Sequence, residues 1–343
     1  MKKRKLIYIG NQLAKHGFTP TSVETLGEHL KESFDVVQGS DKQNKLFRLF
    51  HMWWIVIRNR KSDYLLIDTY STSSFHYAWT SAILSRWFRI RYIPILHGGD
   101  LPKKAVRSPK LLKYFLNNAY EVVCPSNFLK NEMEKLIGGN YTVIPNVIDL
   151  KNYTFQQKSI DEKNGIRILW VRSFHKIYNP YLAIKILRQL HDKGYRNSEL
   201  CMVGPDKDGS MKRTKQLAID LDMSSYVRFT GLLSKKKWIE LSQNYNIFIN
   251  TTNVDNTPVS VIEAMALGFP IVTTNVGGIP YLFKDRIEGI MIEPNNPKLF
   301  VDEIEAFFLD SSRTQNLSNN ARKRSENWDW LHVKEEWSKL LTK

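Results

Sequence analysis

Residues 255–278 read DNTPVSVIEAMALGFPIVTTNVGG. Pro258 suits the first turn of a helix, where a missing N–H costs nothing. The apolar run then reaches Gly268, a residue type that ends helices by entering the left-handed region. FPIVTT (269–274) follows as a short β-branched strand, and NIFINT (246–251) precedes the stretch as another. Strand, helix and strand in this order make a βαβ unit, with parallel pairing and helices over both sheet faces.

The same alternation runs through the rest of the chain. Strands are expected at KLIYIG (5–10), FDVVQG (34–39), YLLIDT (64–69), YIPILHG (92–98), YEVVCPS (120–126) and YTVIPN (141–146). They resume at IRILWVRS (166–173), SELCMVG (198–204), YVRFTG (226–231) and GIMIEP (289–294). Between them, sets such as Val23, Leu26, Leu30 and Leu46, Phe50, Trp53, Ile57 fall at helical spacing. KNYTFQQKSIDEKNG (151–165) is polar and aperiodic, and reads as a linker. The 343 residues therefore divide into Rossmann-like domains over 1–150 and 151–328. A last helix is expected over 329–343, with Trp330, Leu331, Val333, Trp337, Leu340 and Leu341 at roughly helical spacing, and its return onto the first domain is an expectation that the sequence does not place. Open parallel sheets bind ligands outside the carboxyl ends of their strands, so a central cleft faced by both domains is the expected site.

Two acids make the quoted stretch unusual. Asp255 lies in the loop before the helix, and Glu263 lies inside it among Val261, Ile262, Ala264 and Met265. A carboxylate there must meet water or donors, because burying it unpaired is costly. Backbone N–H groups near Val259 and Ser260, with the positive end of the helix dipole, form an anion site. A ribose diol would suit Glu263, and Asp255 could accept from hydroxyls of whatever is attached to a diphosphate. Gly277 and Gly278 allow close backbone approach at the end of the next strand. Singly, each acid is also compatible with an ordinary solvated position. A hydrolytic pair fits poorly: such carboxylates face each other across ~5–9.5 Å, whereas these sit roughly 10 Å or more apart along one wall.

Composition bounds the alternatives. With 42% apolar and 24% charged residues the chain is globular. No apolar run approaches the ~18–20 residues of a membrane span, and MKKRKLIYIGNQ reads as a first buried strand rather than a secretory leader. Cys124 and Cys201 sit in strand-like runs and read as core thiols, which suits a reducing cytoplasm. DKD (206–208), the nearest thing to a metal motif, reads as a solvated loop. Net charge is +16, and residues 42–113 hold 14 Lys/Arg against the acids Asp63, Asp68 and Asp100. Such a field attracts phosphates of a nucleotide, an anionic lipid or a nucleic acid.

Asp255 and Glu263, followed by AMALGFPIVTTNVGGIP, resemble the signature of retaining glycosyltransferases of family four, the glycosyl transferases group 1. Further matches occur in order: VIPNVIDLKNY (143–153), WVRSFHKIYNP (170–180) with Arg172 and Lys176, CMVGPDKDGSMK, VRFTGLLSKKKW, the opening IGNQLAKHGFTPTSVETLGEHL with Gly10, and ILHGGD with His97. The resemblance implies the α/β GT-B fold, in which two Rossmann-like domains face a central cleft. It implies a nucleotide-sugar donor as substrate and neither cofactor nor metal. Arg172 and Lys176 would balance the diphosphate, Glu263 hold the ribose, and Asp255 and His97 contact the donor sugar. Gly10, Val259, Ser260, Gly277 and Gly278 would line the donor site. This chain departs from the family in having Asp255 where glutamate is usual, and in its open Gly10…Gly17 loop.

NKLFRLFHMWWIVIRNRK (44–61), SRWFRIRY (85–92) and PKKAVRSPKLLKYFL (102–116) mix cations with aromatics, as interfacial segments do. Either Phe47, Phe50, Trp53, Trp54 and Ile57 face the core, or this region meets anionic lipid. The expected function is sugar transfer to a glycan or lipid-linked acceptor in cell-surface polysaccharide synthesis. The expected location is the cytoplasm, with peripheral contact at the inner membrane face. A catalytically silent nucleotide-sugar binder is the alternative. So is a basic nucleic-acid-binding protein, although no nucleic-acid module is recognisable and none is expected as partner.

Overall fold

The computed structural model describes residues 3–17, 20–97, 100–161 and 165–342. Among them lie twelve strands, in two six-stranded sheets. The chain divides into two compact units, residues 1–147 with 330–343, and residues 148–329.

In the first unit the elements are β1 (Lys5–Ile9), α1 (Ser22–Leu30), β2 (Asp35–Gly39), α2 (Lys45–Arg58), β3 (Tyr64–Thr69), α3 (Phe75–Trp87) and β4 (Arg91–Leu96). Then come α4 (Leu101–Arg107), α5 (Pro109–Asn117), β5 (Val123–Cys124), α6 (Asn127–Ile137) and β6 (Thr142–Val143). All pairings are parallel, in the order β2-β1-β3-β4-β5-β6. Helices α2 to α6 pack on one face of this sheet, through Met52, Phe75, Leu112, Phe115 and Leu129 among others. The opposite face is covered by α1 and the C-terminal helix Trp330–Thr342. That helix buries Trp330, Val333, Trp337, Leu340 and Leu341 beside Val23, Leu26 and Leu30, while Leu331 stays in solvent. The Arg4 guanidinium donates to the carbonyls of Leu341 and Thr342, supplying cationic donors where the helix leaves its last acceptors unpaired.

One expectation about α2 is reversed. The reading that turns Phe47, Phe50, Trp53, Trp54 and Ile57 to the core fails, because the buried residues are Met52, Ile55 and Val56. Leu46, Phe47, Phe50, Trp54 and Ile57 are exposed, and Trp53 is partly buried, with its indole N–H donating to Thr80 Oγ1 at 2.9 Å. The helix is apolar on both sides, so periodicity alone does not identify the core face.

The second unit contains β7 (Arg167–Val171), α7 (Pro180–Asp192), β8 (Glu199–Val203), α8 (Ser210–Asp220), β9 (Val227–Gly231) and α9 (Lys235–Ser242). These are followed by β10 (Ile247–Asn250), α10 (Val259–Leu267), β11 (Ile271–Thr274), β12 (Ile290–Ile292), α11 (Pro297–Leu309) and α12 (Ser311–Ser325). The parallel order is β12-β11-β10-β7-β8-β9, so chain direction across the sheet reverses between β7 and β10. Helix α10 ends at Gly268 in the left-handed conformation, φ 84°. The segment read as a free linker is instead packed into this unit. Tyr153, Lys158 and Ile160 are buried, and the Gln156 N–H donates to the Leu267 carbonyl. Both cysteines are buried and unpaired, and burial pushes the Cys124 thiol up to about 12.

Lys158 is the cost of that packing. Its ammonium lies 3.2 Å from the Ser242 carbonyl and 4.6 Å from the centre of the Phe269 ring, and burial lowers its pKa to about 8. The unfolded chain keeps this proton to about pH 10.4, so the charged form weakens the fold below pH 8. The penalty disappears as pH rises from about 8 to the unfolded value. Lys158→Met is therefore expected to raise the melting temperature at pH 7, with the gap to the parent closing across that window. Thermal unfolding at a series of pH values checks this, and an unchanged or lower melting temperature at pH 7 contradicts it.

Candidate functional site

Strands β7 and β10 are neighbours at the reversal of the second sheet, where the loops leaving their carboxyl ends diverge and open a crevice. Those loops are 172–179 and 251–258. They are joined by the Asn253 N–H, which donates to the Ile177 carbonyl at 2.7 Å. The Thr251 hydroxyl reaches the carbonyls of Tyr178 and Asn179 at 3.0 and 2.9 Å. Thr251 Oγ1 also accepts from the Trp170 indole at 2.9 Å, fixing the junction to β7.

Glycines close the other sides. The Gly278 N–H donates to the Asp255 carbonyl at 3.0 Å, and a Cβ on Gly278 would lie 1.7 Å from the Asn256 carbonyl oxygen. Gly204, after β8, packs so tightly on the Arg172 backbone that a Cβ would lie 1.8 Å from its carbonyl oxygen. The 206–208 loop, read as solvated, is also a tie: Asp208 Oδ2 accepts the Lys176 N–H at 3.0 Å, and the Lys207 N–H donates to the Phe174 carbonyl.

Within this frame Arg172 forms an ion pair with Asp255, and its guanidinium lies 4.3 Å from the centre of the Tyr178 ring. Burial pushes the guanidinium below its ordinary value, while Tyr178 and the charge of Glu263 oppose that shift. Lys176 stands in a short 3-10 turn of the same loop, with its side chain exposed. Glu263 is 4% exposed, and its Oε1 accepts from the Tyr153 hydroxyl at 2.7 Å and pairs with Lys235. Burial and the Glu263 charge push the Tyr153 hydroxyl well above the usual phenol range. At the mouth of α10 the Pro258 carbonyl takes the Val261 N–H, so the N–H groups of Val259 and Ser260 have no intrahelical acceptor. Thr257 Oγ1 and Ser260 Oγ are buried there without a hydrogen-bond partner among the described residues. Four polar groups, two N–H and two hydroxyl, thus gather at one helix start, a setting that accommodates a phosphate.

Three readings change. Gly277 and Gly278, read as allowing close approach to a ligand, pack instead on the 255–256 backbone, and the Gly278 N–H is taken by the Asp255 carbonyl. Asp255 is engaged by Arg172 instead of standing open to a sugar. Glu263 meets protein donors, Tyr153 and Lys235, that sequence reasoning missed. Tyr153 carried no signal, being one of two aromatics in a polar stretch.

In the first unit, the order β2-β1-β3 likewise reverses at β1. Gly10 follows β1, and both its backbone groups are bonded, to the Gly39 carbonyl and the Ser40 N–H at 2.7 Å each, so its N–H is unavailable to a donor. Its missing side chain makes room for Asp68, since a Cβ would lie 2.7 Å from Asp68 Oδ2. Asp68 is fully buried in β3 and accepts from the Tyr8 hydroxyl at 2.8 Å and from His97 Nε2 at 2.9 Å. Burial and the neighbouring Asp68 charge hold the Tyr8 hydroxyl well above the phenol range. His97 also stacks on Tyr70, so the imidazole is held on two sides. Gly98 and Gly99 lie outside the described residues. Asp68 had a signal like that of Glu263: an acid in an otherwise apolar run.

This arrangement matches known proteins over most of the chain. Residues 152–324 match the model for glycosyl transferases group 1, and residues 6–152 the model for glycosyltransferase family 4. The chain belongs to the glycosyl transferases group 1 and is a glycosyltransferase with the GT-B fold. An uncharacterised glycosyltransferase of Methanocaldococcus jannaschii is 21% identical, over 74% of this chain and 70% of its own length. The putative teichuronic acid biosynthesis glycosyltransferase TuaC of Bacillus subtilis is 26% identical over 68% of this chain, which spans 60% of TuaC. Among solved structures, sucrose-phosphate synthase of Thermosynechococcus elongatus superposes with a TM-score of 0.79 at 15% identity, covering 98% of both chains. Anabaena HepE, with UDP and glucose bound, gives 0.75 at 17% identity over 99% of both.

If the glycine turn holds the Asp255 loop, Gly278→Ala must displace the Asn256 backbone. It is expected to cost more than about 2 kcal/mol in denaturant unfolding. Gly209→Ala, where a Cβ meets nothing within 4 Å but φ is 79°, should cost less. Equal losses would contradict the account.

Proposed function

We propose that the protein transfers a sugar, with retention of configuration, from a nucleotide-diphosphate-sugar to a glycan or lipid-linked acceptor in cell-surface polysaccharide synthesis at the cytoplasmic side of the cell. The observation that carries this reading is Arg172, on the loop after β7, held by its ion pair with Asp255, on the loop after β10 that leads into the mouth of α10. The diphosphate takes over the guanidinium from Asp255, whose carboxylate passes to hydroxyls of the donor sugar. Lys176 and the first N–H groups of α10 meet the remaining phosphate charge, so the step calls on no metal. Glu263 accepts from the ribose diol, and His97, oriented by Asp68, contacts the donor sugar. As the bond from the anomeric carbon to the phosphate oxygen breaks, negative charge grows on the departing diphosphate. Prepositioned cations and helix dipole stabilise that charge more than the ground state. The acceptor oxygen bonds to the anomeric carbon from the same face, and the departing phosphate takes its proton.

Relatives lend support to the substrate classes. HepE has been crystallised with UDP-glucose. A Campylobacter jejuni relative, 23% identical over 52% of this chain and 48% of its own length, is an alpha-1,4-N-acetyl-D-galactosaminyltransferase named for a PP-undecaprenol-linked substrate.

Calorimetry and turnover test the proposal. Arg172→Ala is expected to weaken UDP or GDP binding about tenfold or more, and the matching monophosphate less. Asp255→Asn should bind the nucleotide but transfer sugar roughly 10²-fold more slowly. Equal binding by parent and Arg172→Ala would contradict the diphosphate assignment. Binding without turnover of any sugar nucleotide would favour the silent relative.

A further inference from the structure

Helix α2 exposes Leu46, Phe47, Phe50, Trp54 and Ile57, each 46–70% accessible. At about 100° per residue they share one arc roughly 100° wide, opposite the buried Met52, Ile55 and Val56. A soluble protein rarely leaves such a contiguous apolar face uncovered without a use for it. Nothing in the first unit packs over it among the described residues.

The charges around this stripe identify its occupant. From Lys42 to Ser62 the chain contains six cations and no acid. Arg58 lies over the Trp54 ring, 5.3 Å from its centre. At the other end of α2, Lys45 and Arg48 line a cavity of about 270 Å³ with Ser73, Ser74, His76 and Tyr77. A protein partner would be expected to pair both signs of charge, whereas cations of one sign around an aromatic stripe suit a uniformly anionic surface. Tryptophan and arginine side by side also suit the boundary between headgroups and acyl chains.

We propose that α2 docks on an anionic bilayer, with Phe47, Phe50, Trp54 and Ile57 entering the headgroup–acyl boundary, Arg58 beside them, and the other cations of 42–61 adding attraction to the lipid phosphates. No helix among the described residues is long and apolar enough to cross a membrane, so this contact is interfacial. The inference is independent of the glycosyl-transfer reading, because the contact is measured with no donor present.

The test is co-sedimentation of the full chain with vesicles of phosphatidylcholine alone or of equimolar phosphatidylcholine and phosphatidylglycerol. Binding to the anionic vesicles is expected to exceed that to phosphatidylcholine about tenfold or more, and to fall with salt. Two double variants separate the parts: Phe50→Ser with Trp54→Ser, and Lys45→Glu with Arg48→Glu. Each should lose at least about tenfold in vesicle affinity while keeping the parent's circular dichroism and melting temperature, since the altered residues are at the surface. Free inorganic phosphate at the lipid phosphate concentration should not displace the protein. No binding to anionic vesicles at low salt would overturn the proposal, as would parent-like binding by the folded Phe50→Ser, Trp54→Ser variant.

Discussion

The bond from the Asn253 N–H to the Ile177 carbonyl is the constraint on which the second unit's site depends. It joins two loops that leave adjacent strands in diverging directions. With the Thr251 contacts and the Gly278–Asp255 bond, it fixes the mouth of α10 beside Arg172. A crevice at a sheet reversal comes with the topology, but its lining does not. Here the lining is set by backbone packed at distances that only glycine tolerates, at Gly204 and Gly278.

The charges in that frame are paired with one another: Arg172 with Asp255, and Lys235 with Glu263. A largely buried cation needs an anion, and Asp255 supplies one. The pairing also defines an exchange, since an arriving anion competes for Arg172 while hydroxyl donors compete for the carboxylate. The contact between Tyr153 and Glu263 holds the second carboxylate in position at the floor of the same unit.

The strand pattern was legible because each strand is short, β-branched and bounded by turn residues, and eleven of the twelve lie within the segments expected of them, β4 starting one residue earlier at Arg91. The burial of α2 was not legible, since a helix with apolar residues on both sides has no unique inward face. KNYTFQQKSIDEKNG misled for a related reason: its few buried residues, Tyr153, Lys158 and Ile160, follow no period. The site was legible where an acid interrupts an apolar run, as at Glu263, and the same rule extends to Asp68. It was not legible where a role depends on three-dimensional neighbours. Asp208 beneath Lys176, Lys235 beside Glu263 and the bonded N–H of Gly278 are of that kind.

The most direct measurement is a crystal structure with UDP bound. The account predicts that diphosphate oxygens lie within hydrogen-bond distance of the Arg172 guanidinium and of the Val259 and Ser260 N–H groups, with the Arg172–Asp255 pair parted. A diphosphate bound elsewhere, with that pair intact, would contradict it.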